Sequence, residues 1–153
     1  MQVWVRNGLI AGGIAGVVTI IVNLAERAMA TGDVCHRTGP RLGYLGFVAF
    51  LLLTGWAGYA TARAGLSVSR AAIAGVIGGA VSGIGTIIVV LSALDQIRSA
   101  SQCIANPNGV DVQAFATAGG VIAALVLFII GIAIAAGAAA VGGVLGQRPA
   151  STR

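Results

Sequence analysis

The chain has 153 residues, 58% of them hydrophobic and 8% charged, with a mean hydropathy of +0.98. A soluble domain has about a quarter of its residues charged, so this chain has too little polar surface to face water, and the water-soluble globular classes are excluded. The net charge of +5 comes from nine arginines scattered along the chain, with no lysine and no basic run, which excludes a nucleic-acid-binding tract.

Four apolar runs each approach or exceed the roughly 20 residues that cross a hydrocarbon core, and the length suits one domain. The expected fold is an all-α integral membrane protein, a single four-helix transmembrane domain over 1–153 that ends in a short polar tail at 147–153.

The first helix is expected from Asn7 to Ala28, with Trp4 and Arg6 as interfacial anchors at its entry. Its arginine, apolar core and Ala28-Met29-Ala30 also resemble a signal peptide; a retained helix is the expectation. A polar loop follows from Thr31 to Arg41 with Asp33, Cys35, His36 and Arg37. Thr38-Gly39-Pro40 reads as a helix start, with proline in the first turn where its missing N–H does no harm. The second helix is expected over Arg41 to Ala62, with Tyr44 near one end and Trp56 and Tyr59 near the other, as befits two membrane interfaces.

The turn Arg63 to Arg70 is short, so the second and third helices must be antiparallel neighbours. The third helix is expected from Ala71 to Leu94, with Ser69 as its N-cap. It gives way to the polar stretch Asp95 to Gln113, which holds Cys103 and the turn signal Asn106-Pro107-Asn108-Gly109. Asp111 is the expected cap of the fourth helix, which runs without a charge from Val112 to Gly146. At 1.5 Å per residue that run is about 50 Å, longer than a core of about 30 Å, so it must tilt, bend or project. The tail Gln147 to Arg153 is expected to fray.

Three of the four helices carry stripes of small residues every fourth position: Gly8, Gly12 and Gly16; Gly75, Gly79 and Gly83; Gly131, Ala135, Ala139 and Gly143. Residues four apart share one helix face. In water each interior glycine costs about 1 kcal/mol relative to alanine. In lipid the backbone must bond to itself anyway, and a smooth stripe lets a second backbone come close. These residues are therefore the expected helix-packing faces.

Counting arginines sets the expected orientation. Arg6, Arg63, Arg70, Arg148 and Arg153 fall on one side and Arg27, Arg37, Arg41 and Arg98 on the other, so both termini are expected in the cytoplasm. Cys35 and Cys103 then share the extracytoplasmic side, where disulfides persist. An intramolecular bridge, which restrains the unfolded chain by about 4 kcal/mol in the loop-entropy model, is weighed against two free thiols or pairing between subunits.

The halves also look alike. Each has a glycine-striped helix with Thr-Ile-Ile-Val and a leucine two residues on (Thr19 to Leu24, Thr86 to Leu91), then a loop with one cysteine and a second helix. Two helices per half make these parallel repeats about an axis along the bilayer normal, with the glycine helices at the centre; the alternative is a chance alignment of Ala, Gly, Ile and Val.

Polar residues within the spans are few: Thr19, Asn23, Thr54, Ser82, Thr86 and Ser92, with Glu26, Arg27 and Asp95 at one boundary. Asn23, Glu26 and Asp95 form a candidate polar site for coordination or proton exchange; the bland alternative places Glu26 and Arg27 among headgroups and Asn23 against a neighbouring helix. One histidine, His36, and two separated cysteines do not make up a zinc ligand set, and no Cys-x-x-Cys pair exists. Gly83-Ile84-Gly85 lacks the strand and later glycine of a nucleotide loop. The expectation is no enzyme, cofactor or metal.

Two functional classes fit: a structural or accessory protein that associates with itself or other membrane subunits through its glycine and alanine faces, or a small channel or transporter with a polar path along helices one and three. Membrane lipids are the expected surroundings, in a cell membrane of the bacterial inner-membrane type.

Overall fold

The computed structural model describes residues 1–32, 35, 36, 38–101, 103 and 112–147. Asp33, Arg37, the Asn106-Pro107-Asn108-Gly109 turn signal, Asp111 and the tail from Arg148 lie outside the described residues, as do the side chains of Asp95 and Arg98. The described residues form four helices: α1 (Val3–Met29), α2 (Gly43–Arg63), α3 (Val68–Ser101) and α4 (Val112–Gly146). Each holds a stretch long and apolar enough to cross a membrane. The fold is thus an all-α bundle of four candidate transmembrane helices, with no strand among the described residues.

Several ends differ from the sequence expectation. α3 continues past Leu94 to Ser101, because Ala93, Leu94, Gln96, Ile97 and Arg98 all tolerate a helix and no glycine or proline interrupts them. Pro40 stands before α2 rather than in its first turn. Thr38 is held in a pair of hydrogen bonds with Thr31 (both 2.8 Å) that closes the first loop, and the helix begins only at Gly43. α3 begins at Val68, so Ser67 rather than Ser69 takes the flanking position, and its carbonyl accepts from the Ala71 N–H at 3.1 Å. The link from α2 to α3 reverses at Gly65, whose φ of +80° is the left-handed conformation that glycine closes a helix with.

α3 packs most extensively on α4 and α1, and α2 on α4 and α1, with α2 also touching α3 across the middle; α1 and α4 do not meet among the described residues. Around the bundle the order is α1, α2, α4, α3. α1 and α3 run parallel: Gly8 lies on Ala74, Gly12 on Gly78 and Gly16 on Ser82, so both advance four residues together. This register is one residue from the Thr19/Thr86 repeat, so corresponding positions of the two hairpins sit side by side at the same depth. A two-fold axis along the normal would instead make α1–α4 contact equivalent to α2–α3 contact. The hairpins are related by a sideways shift, and the pseudo-symmetric arrangement expected from the repeat does not form.

The interior is built from small residues. Among the described residues every buried hydrophobic residue is an alanine, among them Ala11, Ala15, Ala57, Ala74, Ala135 and Ala139, while the leucines, isoleucines, valines and phenylalanines are half-buried or exposed. The hydrophobic effect does not bring helices together in lipid, so close backbone approach takes its place.

Candidate functional site

Two ends of the bundle can be told apart. The turn end holds the start of α1, the 64–67 link and the end of α4; the bridged end holds the disulfide between Cys35 and Cys103, whose Cα atoms are 5.6 Å apart.

At the turn end the helices touch backbone to backbone. A Cβ on Gly12 would lie 2.8 Å from the Gly78 Cα, and one on Gly79 2.9 Å from both Ala135 Cβ and Ile132 Cα. Gly75 faces Ala135 and Ala139, and Gly143 faces Ala71. The stripes of α1 and α3 do not meet each other: Gly8, Gly12 and Gly16 lie on α3, whereas Gly75, Gly79 and Gly83 face α4. A further seam joins α2 to α4, with Gly58 on Ala139, Gly142 on Gly55 and Gly146 on Tyr59. The sequence reading missed this seam. Its signals were the spacing of Gly142 from Gly146 and of Gly55 from Gly58, three and four residues being the helical neighbours. Asn7 and Thr61, both buried, join α1 to α2 through a 3.3 Å bond from Asn7 Nδ2 to Thr61 Oγ1. The Thr61 hydroxyl donates onward to the Ala57 carbonyl at 2.7 Å.

Toward the bridged end the packing opens into a cavity of about 400 Å³. All four helices line it: Thr19, Val22 and Asn23 of α1; Gly43, Gly46, Phe47 and Phe50 of α2; Gly79, Ser82, Gly83 and Thr86 of α3; Leu127, Phe128, Ile130, Gly131 and Ile134 of α4. The volume lies in the range of small-molecule sites. The cause of the opening is in α4. Its turn-end half meets its neighbours through alanine and glycine, whereas in the Val121–Ile130 half the Phe128 ring turns inward and most other large side chains face out. Phe128 places its ring where a side chain on Gly83 would go. A Cβ on either Gly46 or Gly131 would meet nothing within 4 Å. α2 and α4 therefore stand apart here, and the half-exposed Phe47, Leu127 and Ile130 form an apolar rim.

The wall also has a polar strip on α1 and α3. The Thr19 hydroxyl donates to Ala15 O at 2.9 Å, Asn23 Nδ2 to Thr19 O at 3.0 Å and the Ser82 hydroxyl to Gly79 O at 3.1 Å. The hydroxyl of Thr86, the repeat counterpart of Thr19, makes no hydrogen bond within the described residues. No titratable side chain is among the lining residues.

Above the cavity the helices are tied together. Glu26 Oε1 accepts from the Gly43 N–H at 2.7 Å, supplying from α1 the cap that Leu42 cannot give α2; a carboxylate suits the positive end of a helix. Arg27 reaches α3, donating to Val89 O at 3.0 Å and Ser92 O at 3.3 Å. Of the candidate polar site, Asn23 thus lies on the cavity wall while Glu26 caps a neighbouring helix; the Asp95 side chain is outside the described residues. No group of three metal-ligating side chains occurs among the described residues.

Fold and spans together define a multi-pass membrane protein. No protein-family model, curated protein or solved structure matches the chain.

Proposed function

We propose that this protein binds a small, mostly apolar molecule in the cavity among its four helices, the molecule arriving from the surrounding lipid between α2 and α4. The observation that carries this reading is the cavity itself, sealed toward the turn end by glycine contacts and rimmed by Phe47, Leu127 and Ile130. The polar strip on α1 and α3 supports the reading, and binding would be the first step of transport. In this reading the termini are cytoplasmic and the Cys35–Cys103 bridge is extracytoplasmic, in a cell membrane of the bacterial inner-membrane type; arginine placement and the persistence of disulfides in oxidising compartments support that side.

The test is a variant that fills the cavity. Gly131 lines the cavity and a Cβ there would meet nothing within 4 Å, so Gly131→Leu should fold, and apolar molecules co-purified or added in detergent should be lost from its native mass spectrum while wild type retains them. Equal retention by both proteins refutes the reading.

Association with itself or another membrane subunit is the second reading. It is favoured by the outward apolar half of α4, where Ile122, Leu125, Leu127 and Ile129 are exposed. Mass photometry in mild detergent tests it, and a strict monomer tells against it.

A further inference from the structure

Resting on the binding role just proposed, we infer that the cavity selects an apolar molecule bearing one hydroxyl group over the corresponding ether, ketone or plain hydrocarbon. The reason is the direction of the hydrogen bonds on its wall. Thr19 and Ser82 each commit their single hydroxyl hydrogen to a carbonyl of their own helix. A hydroxyl has one hydrogen and two lone pairs, so both oxygens are left as acceptors. Asn23 commits one amide hydrogen to Thr19 O and keeps its own carbonyl oxygen, a further acceptor. Thr86 alone has its hydroxyl hydrogen uncommitted within the described residues.

The strip is therefore rich in acceptors with one hydroxyl donor beside them. A guest hydroxyl donates to the first kind and accepts from the second. An ether or ketone only accepts, so it matches Thr86 or the remaining Asn23 hydrogen and leaves the acceptors unpaired, and a hydrocarbon satisfies none. Everything else on the wall is apolar, which suits a hydrocarbon body and disfavours a charged headgroup. The parallel register of α1 and α3 sets Thr19 and Thr86 at one depth, so one guest group can meet both.

The experiment measures competition among 1-dodecanol, its methyl ether, 2-dodecanone and dodecane for detergent-solubilised full-length protein by native mass spectrometry. Wild type should favour the alcohol about tenfold over each of the others, the effect of one buried hydrogen bond left unmade. Thr19→Val, Ser82→Ala and Asn23→Leu together remove the acceptors and keep the Thr86 hydroxyl, so they should bring alcohol and ether within about twofold by weakening the alcohol, with an unchanged circular dichroism spectrum as the check on folding. If wild type binds all four probes equally, the selectivity is refuted while the binding role stands. If wild type binds none of them and Gly131→Leu behaves identically, both are refuted.

Discussion

The turn end and the bridged end of this bundle are made of the same four helices and behave as opposites. At the turn end, backbones touch where side chains are missing, and even a methyl group has no room at Gly12, Gly58 or Gly142. At the bridged end, the Phe128 ring of α4 stands on α3, Gly46 and Gly131 face open space, and the helices are tied at their tips by a disulfide, a carboxylate cap and an arginine. A glycine's role thus depends on what stands opposite it: Gly58 is a contact, whereas Gly131 leaves open space. In lipid the first kind of site gives cohesion and the second leaves room for a guest.

The contrast is broken most severely by Gly58→Leu, whose side chain must displace the Ala139 backbone. Overpacking of this kind costs about 3 kcal/mol or more, so the variant should fail to give a folded monomer in detergent, read by size-exclusion chromatography and thermal unfolding. Next comes the bridge. Cys35→Ser should lower unfolding stability by up to about 4 kcal/mol, given a closure over 68 residues, and a melting temperature equal to wild type would show that the bridged end needs no staple. Asn7→Ala removes the bond to Thr61 and should cost about 1 kcal/mol, measured in the same unfolding assay. Glu26→Gln keeps an acceptor for Gly43 but removes the charge at the α2 start, and should cost about 0.5 kcal/mol at low salt. The smallest effect is expected for Gly131→Leu, within about 0.5 kcal/mol of wild type; a loss comparable to Gly58→Leu would show that the two ends are not different in kind.

Much of this was legible in the residues. Four apolar runs read directly as four spans, because crossing a hydrocarbon core demands length and an uncharged sequence before any partner is chosen. The stripes were legible too, since a spacing of four is a property of one helix. Which helix each stripe would face was not. Gly75 and Gly79 meet α4, whereas the parallel neighbour α1 lies on Ala74 and Gly78, one position round the helix. The seam of Gly55 and Gly58 with Gly142 and Gly146 was hidden because α2 shows no run of small residues at regular spacing. Glu26 was visible as a boundary charge, but its partner is a backbone N–H 17 residues away, which no spacing rule reveals.

The order of residues alone determined that the chain is membrane-spanning, that it has four helices and which faces of them are smooth, for these follow from hydropathy and helical periodicity within single segments. Only the tertiary structure decided that like helices stand beside like, that α1 and α4 stay apart, and that a cavity opens between Gly46 and Gly131. Those outcomes depend on how closely two particular backbones can approach, which is a property of pairs of surfaces and is set by the bulk that each presents to the other.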